Sequence, residues 1–373
     1  MNSQSSDKQL DAPPPSNRSR RALPLIAAAL TAIVVAGLLY LRPSLPPAPV
    51  SPTHPIPEPR ILEQRYQADY DFVTPSLGWA LVRDLISGRY WVDNTTDGAR
   101  HWDLQKSDLS SINASFRIRF FDAHDGFYSL AGGGTFRTSD GGRRWNQVTL
   151  PSTTIGVVWF VDPSHGWYRS DSDFESTSDG GATWHGLPAP PLVGPLLEFA
   201  DARDGWLASI SDNSPAVVYS TNDGGASWTP HALPGEAGGK PFRRADGLSA
   251  LPGGGVLVEL PDDTAFTSFD GGATWSKLAP PPPGNSYQDI SIQDATHWWA
   301  MRLGDLFKTS DAGQSWQHIA IQLDGWLYLP RILDARHAWA TLESPGPPTS
   351  GSALALTSDG GIHWTYAAVP RVS

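Results

Sequence analysis

Residues 138–145 read Thr138-Ser139-Asp140-Gly141-Gly142-Arg143-Arg144-Trp145, and this octad decides the fold because it recurs along the chain. In every copy the tryptophan follows the aspartate by five residues. The seven pairs are Asp97 and Trp102, Asp140 and Trp145, Asp179 and Trp184, Asp223 and Trp228, Asp270 and Trp275, Asp311 and Trp316, and Asp359 and Trp364. The first copy is weaker, since alanine replaces its second glycine. The chain therefore contains seven related segments.

The chemistry of the octad is that of a tight turn. Its aspartate can accept hydrogen bonds from backbone N–H groups two or three residues further on, and the glycines permit positive φ. We expect the tryptophan to bury its ring between neighbouring sheets. A calcium loop is the alternative, because Asp171 and Asp173 add nearby carboxylates. The spaced oxygen ligands and flanking helices of a calcium-binding EF-hand are missing, so the sequence favours a structural turn and predicts no metal or other cofactor.

The spacing of the octads predicts the architecture. Successive aspartates lie 39 to 48 residues apart, and a second motif, Asp-x-x-x-Gly-Trp, precedes most copies, as at Asp162–Trp167. Such periods are typical of β-propeller blades. Residues 61–373 give about 45 residues for each of seven blades, which matches the repeat length. The sequence thus predicts an all-β, seven-bladed propeller over residues 61–373.

Four strands can be placed in each unit. In the second unit these are Phe116–Phe121, Phe127–Leu130, Thr135–Thr138 and a strand beginning at Trp145. The last unit ends soon after its octad, so residues 61–67 are expected to lend a strand to blade 7 and close the ring.

The N-terminal region differs in composition from the repeats. Residues 1–21 are polar and read as a disordered cytoplasmic tail, whereas residues 22–41 form an uncharged run long enough to cross a bilayer. Arginines precede this run, which puts the N-terminus inside and the propeller outside the cytoplasmic membrane. A cleaved signal peptide is the alternative. Residues 42–60 are a proline-rich linker, expected to be extended.

Composition narrows the functional classes. The chain has no cysteine, which excludes disulfides, thiolate metal sites and a lipid-modified cysteine. Residues 61–373 hold 21 Lys and Arg against 35 Asp and Glu. Because a nucleic-acid backbone needs a basic surface, general nucleic-acid binding is excluded.

The octad, Ser/Thr-x-Asp-Gly-Gly-x-x-Trp, is the Asp box, also called the bacterial neuraminidase repeat. Together with Asp-x-x-x-Gly-Trp, it resembles the photosystem II stability/assembly factor family of seven-bladed propellers, over residues of about 65–373. This resemblance implies a non-enzymatic protein that helps to assemble a membrane complex. Related Asp-box propellers also occur in sialidases, sortilin-type receptors and xyloglucan-cleaving hydrolases. The chain departs from the assembly factors in having a transmembrane segment and no lipid-attachment cysteine.

A binding site is expected on the face opposite the octads, where the connections vary. The connection of residues 230–245 carries the only compact basic cluster of the domain, Lys240, Arg243 and Arg244. We interpret this cluster as a contact for an acidic protein segment or for lipid headgroups, with a solvated loop as the alternative. We interpret Trp326 and Tyr328 as core residues, with an exposed aromatic platform as the alternative. His165, His297 and His337 recur at one turn position and are read as turn residues.

An enzymatic role has weak support. Arg117-Ile118-Arg119 and Arg331-Ile332-Leu333 are the nearest approaches to the sialidase motif, and neither matches it. Carboxylates that could serve a glycoside hydrolase lie on variable connections, but nothing pairs them; they are Asp171, Asp173, Glu236, Asp262 and Asp263. The sequence therefore favours a membrane-anchored, non-catalytic scaffold for a protein partner. The alternative is a cell-surface glycoside hydrolase or glycan-binding module.

Overall fold

The computed structural model describes residues 62–63, 65–109, 116–130, 134–151, 157–170, 173–188, 196–208, 217–234, 247–251, 253–260, 264–278, 288–302, 305–321, 326–343 and 352–372. The chain divides into two compact units, residues 1–55 and 56–373, and every described residue belongs to the second. The predicted tail, transmembrane helix (22–41) and linker (42–60) lie outside the described residues. Within the described ranges, no helix has the length and apolar character needed to cross a membrane.

The described chain forms seven antiparallel sheets of four strands each, numbered as blades 1 to 7. Blade 1 contains β1 (Tyr66–Phe72), β2 (Gly78–Asp84), β3 (Arg89–Thr95) and β4 (Asp103–Leu109). Blade 2 contains β5 (Phe116–Phe120), β6 (Gly126–Leu130), β7 (Gly134–Thr138) and β8 (Asn146–Gln147). Blade 3 contains β9 (Val157–Phe160), β10 (Gly166–Arg169), β11 (Phe174–Thr177) and β12 (His185–Gly186). Blade 4 contains β13 (Leu196–Phe199), β14 (Gly205–Ala208), β15 (Val217–Thr221) and β16 (Thr229–Ala232).

The remaining blades repeat this pattern. Blade 5 contains β17 (Leu248–Leu251), β18 (Gly255–Glu259), β19 (Ala265–Ser268) and β20 (Ser276–Lys277). Blade 6 contains β21 (Gln288–Ile292), β22 (Trp298–Arg302), β23 (Asp305–Thr309) and β24 (Gln317–Ile319). Blade 7 contains β25 (Trp326–Ile332), β26 (Ala338–Glu343), β27 (Ser352–Thr357) and β28 (Thr365–Ala367). The prediction of an all-β propeller with seven blades is confirmed.

The four strands of each blade, called A to D in chain order, pair only with their sequence neighbours. Strands A of adjacent blades lie side by side, as do β1 and β5, β13 and β17, and β21 and β25. Strand D is short and exposed in several blades, for example β8 and β12. Strands A therefore form the inner edge of the ring, and strands D form its rim.

The core consists of seven clusters of buried apolar side chains, and each cluster lies between two consecutive blades. Between blades 1 and 2, Trp79 stacks on Phe120 with the ring centroids 3.4 Å apart. Between blades 3 and 4, Trp167 stacks in the same way on Phe199 at 3.6 Å. Each sheet thus removes its apolar surface from water by packing against its two neighbours, and this burial is the main stabilising term.

Both ends of the described chain close the ring between blades 7 and 1. Leu62 and Ser352 exchange two backbone hydrogen bonds of 3.0 Å, which adds a single bridge beside β27. Ala368 donates its N–H to the carbonyl of Ala99 at 2.9 Å, and its own carbonyl accepts the indole N–H of Trp102 at 2.8 Å. Leu62 and the C-terminal segment are therefore the two pieces that seal this interface.

The prediction that residues 61–67 add a strand to blade 7 is wrong for Tyr66 and Gln67. These residues begin β1, which pairs along its whole length with β2 of blade 1. The chain turns between Glu63 and Tyr66, where the Tyr66 N–H bonds the Glu63 carbonyl at 2.8 Å. Seven β1–β2 pairs outweigh an extension of the blade 7 edge, so only Leu62 remains on that side.

The octad forms the turn between strands C and D. In blade 2, the Thr138 hydroxyl donates to Asp140 Oδ1 at 3.0 Å and accepts the N–H of Gly142 at 2.9 Å. Asp140 Oδ1 also accepts the N–H of Arg144 at 2.9 Å. These bonds recur in all seven octads, with Ser268 replacing threonine in blade 5.

The reach of the aspartate differs from the expectation. In the octads, the aspartate bonds the N–H four residues further on, which spans the whole glycine turn. The expected bond to the residue three positions further on also occurs in the first octad, where Asp97 Oδ1 accepts the Arg100 N–H at 3.0 Å. In the second motif, Asp162 Oδ1 accepts the N–H groups of Ser164 and His165 at 2.7 and 2.8 Å. That motif forms the turn between strands A and B. The two turns touch in each blade that carries both motifs, as where Gly141 N–H bonds the His124 carbonyl at 2.9 Å.

The octad tryptophans are less buried than expected. Among them only Trp364 is buried, at 6% exposure, and the other six are half-buried. The fully buried indoles come from the second motif, such as Trp167 and Trp206. An octad tryptophan lies near the end of the sheet and reaches toward the preceding blade, as where Trp184 donates its indole N–H to the Thr149 carbonyl at 2.9 Å. This position leaves one edge of the ring in water.

The second glycine of the octad is the point of closest approach between blades. Gly181 has a φ of +87°, which side chains other than glycine rarely adopt. A Cβ atom at this position would clash with the buried Val148 of the preceding blade. The position therefore requires glycine for two independent reasons.

We expect Gly181→Ala to lower the free energy of unfolding by about 2–4 kcal/mol, because backbone strain and overpacking add. Urea unfolding of the purified chain measures this change. Gly186→Ala is the matched control, since a Cβ atom there meets nothing within 4 Å. Equal stabilities of the two variants would contradict the requirement for glycine at the blade contact.

A buried carboxylate lies on the blade 1 side of the ring closure. Asp93 of β3 is 2% exposed, and its Oδ2 atom has no hydrogen-bond partner among the described residues. Burial, and then the nearby charge of Asp103, raise the pKa of Asp93 to about 7. The hydroxyl of Tyr70 is also buried without a described partner, and burial, followed by the charge of Asp93, raises the pKa of Tyr70.

Asp93 makes stability depend on pH with a definite sign. Between pH 4 and 7 the folded chain holds a proton on Asp93 that the unfolded chain has lost, so stability falls as the pH rises through this range. We expect Asp93→Asn to raise the free energy of unfolding at pH 8 by about 1–3 kcal/mol and to change it little at pH 4. Urea unfolding at both pH values tests this.

Asp103→Asn serves as the comparison for this variant. It removes only the neighbouring charge of an exposed residue, so its effect at pH 8 should have the same sign and a smaller size. A loss of stability for Asp93→Asn that is equal at pH 4 and pH 8 would show that Asp93 acts through packing and not through its charge.

Candidate functional site

Several residues proposed from the sequence lie outside the described part of the chain. These are the basic cluster Lys240, Arg243 and Arg244, and the carboxylates Asp171, Glu236, Asp262 and Asp263. Trp326 and Tyr328 belong to β25, and of these two residues only the backbone is described.

The three recurring histidines lie in separate A–B turns. Each is paired with the aspartate of its own turn: Nδ1 of His165 lies 2.8 Å from Asp162 Oδ2, and the pairs of His297 and His337 measure 2.9 Å. In the described residues, no group of three His, Asp or Glu side chains is placed to hold a metal ion.

The face that carries the octads is acidic. The A–B and C–D turns both lie on it, and the described turns hold fourteen aspartates and five arginines. In eleven of these aspartates, hydrogen bonds lower the pKa: bonds from Thr183 and Thr177 lower that of Asp179 to about 2, and the same pattern lowers that of Asp311. The carboxylates therefore stay ionised at neutral pH, and this turn face repels anionic partners.

Strands A bring seven side chains from seven blades to one level of the inner edge. Each is the residue before the last in its strand, opposite the second residue of strand B. The seven are Asp71, Arg119, Trp159, Glu198, Ala250, Ser291 and Arg331. Four of them are ionisable, so the inner edge carries charged side chains although the interfaces between the blades are apolar.

Ion pairs and hydrogen bonds link blades 7, 1 and 2 at this level. Arg331 Nη2 lies 2.8 Å from Asp69 Oδ1, and its Nη1 lies 3.8 Å from Asp71 Oδ1. The other oxygens of the two aspartates accept backbone N–H groups of blade 2, Asp69 from Ile118 at 2.8 Å and Asp71 from Phe120 at 2.6 Å. The two carboxylates and Arg331 are thus engaged in joining three blades.

Asp71 is the most buried member of this network. Burial raises its pKa to about 6, against the lowering effects of the Phe120 N–H and of the charges of Arg331 and Arg119. One of its oxygens accepts the Phe120 N–H, and the other lies 3.8 Å from Arg331 Nη1. Its place in the network is structural.

Arg117 and Arg119 differ from Arg331 in having unused donors. They alternate with the buried Ile118 and Phe120 along β5, so both side chains point to the inner edge and are exposed. Neither guanidinium forms an ion pair with a described residue, although that of Arg119 lies 5.8 Å from the ring centre of Phe121. Each guanidinium carries five N–H donors suited to a planar carboxylate.

Glu198 of blade 4 is the acidic group that faces these arginines. Its Oε2 atom accepts the N–H of Ala250 at 3.4 Å. The residue keeps more than a third of its surface exposed, yet many protein atoms surround its carboxyl group and raise its pKa. The charges of Arg117 and Arg119 oppose this shift.

Blade 3 supplies apolar surface between the charged groups. Val157 and Trp159 occupy the positions in β9 that Arg117 and Arg119 occupy in β5. Val157 is 67% exposed, and Trp159 is half-buried against Trp167 and Phe199. We call Arg117, Arg119, Val157, Trp159 and Glu198 together the inner-strand site.

In the sequence, Arg117-Ile118-Arg119 stands out only as a failed match to the sialidase motif. The signal for its actual placement was the alternation in Phe116–Phe120, where polar and apolar residues exchange at each step. The neighbouring residues of the site in blades 3 and 4 could not be predicted from such a pattern. They come together only through the order of the blades around the ring.

The chain is similar to known propellers. It is 23% identical over 303 residues to the photosystem II assembly lipoprotein Ycf48 of Synechococcus sp. (strain CC9902), covering 79% of this chain and 73% of that protein. Ycf48 bound to a D1 peptide has a similar fold, with a TM-score of 0.56, 17% identity, and coverage of 81% of this chain and 99% of the other. Ycf48 from Cyanidioschyzon merolae gives a TM-score of 0.54 at 16% identity, covering 81% and 96%.

No family model matches the chain. The resemblance to a photosystem II assembly factor expected from the repeats is nevertheless shown by the sequence relative, and the solved structures share the seven-bladed fold.

Proposed function

We propose that this protein is a membrane-anchored, non-catalytic propeller that holds a protein partner and assists the assembly or stability of a membrane or envelope complex. Similarity to an assembly lipoprotein supports an assembly role. A protein of the same fold is bound to a peptide, which supports a protein partner for this one. The same fold serves many functions, so the evidence for this one comes from the residues of the site.

The observation that carries it is the pair of exposed arginines on β5. Arg117 and Arg119 lie on a rigid inner strand, without an ion pair to any described residue, in a domain that is acidic overall. Exposed guanidinium groups in a well-packed setting are common anchors of protein interfaces. Their fixed backbone also limits the entropy lost on binding.

The proposed location follows from the N-terminal sequence. Residues 22–41 would anchor the chain in the cytoplasmic membrane, with the arginines at 18, 20 and 21 inside and the propeller outside. The linker of residues 42–60 would hold the domain several tens of ångströms from the bilayer, at about 3.1 Å per residue. Lys240, Arg243 and Arg244 would provide a second contact with the same partner or with lipid headgroups.

Crosslinking in membranes followed by co-purification of the full-length chain tests the proposal. We expect one stoichiometric protein partner, and we expect Arg117→Glu combined with Arg119→Glu to reduce its recovery at least tenfold, because each arginine would be replaced by a repelling charge. Arg243→Glu combined with Arg244→Glu tests the loop cluster in the same way.

The matched control reverses two exposed arginines of the turn face, Arg143→Glu and Arg144→Glu, and should leave the partner bound. No stoichiometric partner with the native chain would contradict the scaffold function. Hydrolysis of a chromogenic glycoside by the native chain would instead support the glycan hydrolase alternative.

A further inference from the structure

We infer that the inner-strand site binds an extended acidic segment of the partner, with side-chain carboxylates at alternate positions seated on Arg117 and Arg119. This inference rests on the proposed function and adds the chemistry of the segment that is held. It follows from the donors that are free, from their spacing and from the groups beside them.

The guanidinium groups of Arg117 and Arg119 supply the hydrogen-bond donors of the site. Of the three inner arginines at this edge, Arg331 is engaged by Asp69 and Asp71, whereas Arg117 and Arg119 form no ion pair with the described residues. The two aspartates cannot turn toward them, because their oxygens already accept N–H groups of Ile118 and Phe120. The charges of both arginines act on Glu198, and that of Arg119 also acts on Asp71, yet neither guanidinium forms an ion pair with a described residue. A carboxylate ligand would supply the close counter-charge that they lack among these residues.

The spacing sets the form of the ligand. Arg117 and Arg119 are two residues apart on β5, so their Cα atoms are about 7 Å apart. An extended peptide repeats its side chains on one face at the same distance. Acidic residues at positions i and i+2 would therefore meet both arginines, whereas adjacent acidic residues point to opposite faces and would meet one.

The neighbouring blade adds an apolar contact. Val157 is 67% exposed at the level of Arg117, and the half-buried Trp159 stands at the level of Arg119. An apolar side chain flanking the acidic pair would cover this surface. Long polyanions fit poorly, since the acidic turn face would repel any chain that extended beyond the site.

Glu198 holds in β13 the strand position that Arg119 holds in β5, so its negative charge opposes a carboxylate ligand at this level of the inner edge. The charges of both arginines act on its carboxyl group. Glu198→Gln keeps the shape of the side chain and removes a negative charge that would repel an acidic ligand. Acidic segments should then bind more tightly, which is the opposite of what loss of a supporting residue would cause.

Fluorescence anisotropy with the full-length chain in detergent tests the inference. The probe is a labelled peptide with an acetylated N-terminus, an amidated C-terminus and a central Glu-Leu-Glu, so that only side-chain carboxylates are offered. One comparison peptide has Gln-Leu-Gln at its centre, and another has the two acidic residues adjacent. A peptide with neutral side chains and a free C-terminal carboxylate separates terminal from side-chain recognition.

We expect the Glu-Leu-Glu peptide to bind about tenfold more tightly than the other three. Arg117→Gln and Arg119→Gln should each weaken it by about tenfold, and Glu198→Gln should strengthen it severalfold. Arg143→Gln combined with Arg144→Gln is the matched control on the turn face and should have no effect. Circular dichroism and thermal unfolding show whether the variants remain folded.

The outcomes separate the inference from the proposed function. Equal affinity for Glu-Leu-Glu and Gln-Leu-Gln, or stronger binding of the free C-terminus, overturns the inference. Retention of the partner in the crosslinking experiment would then leave the scaffold function standing. An effect of the turn-face variant equal to that of the β5 variants would show unspecific charge attraction and also overturn it.

Discussion

The close contact between one octad and the blade before it is the constraint on which this ring depends. At Gly181 the backbone comes so near to Val148 that no Cβ atom fits, and the same contact brings the Trp184 indole to the Thr149 carbonyl. A blade cannot bury its faces alone, because each apolar cluster is shared with a neighbour. The turn is therefore both the end of one sheet and part of the interface with another. Six octads have glycine at this contact and the first has Ala99, and together these contacts complete the closed ring.

Much of the fold could be predicted from the sequence because its signals are local. The octad fixes the C–D turn within eight residues, and its repeat length sets the number of strands per blade. Two expectations failed where the outcome depends on neighbours that are distant in sequence. Six of the seven octad tryptophans are only half-buried, since their depth depends on the preceding blade. Tyr66 and Gln67 joined β2 and not blade 7, since a full hairpin outweighs a short edge.

The candidate site was harder to predict for a related reason. Arg117 and Arg119 belong to one alternating strand, but Trp159 and Glu198 join them only through the order of blades around the ring. A pattern within one segment cannot show that Asp69 and Asp71 are already occupied by Arg331, which lies some 260 residues away in sequence. Whether a charged group is free for a ligand is therefore decided by closure of the ring. In the same way, the acidity of the turn face emerges only when all blades are placed together.

Closure through Leu62 and the C-terminal segment has a topological consequence. The first and last described stretches meet at the same interface, between blades 7 and 1, where Ala368 bonds to Ala99 and Leu62 to Ser352. Apolar side chains from both blades fill this interface, as they fill the interfaces between the other blades. The bonds made by the two end stretches are therefore a small part of what holds the ring together. A circular permutant that joined these ends and opened between two other blades would keep every sheet intact. The blade at which the chain begins can thus change while the order of blades around the ring stays the same. The inner edge would then present the same side chains in every such permutant.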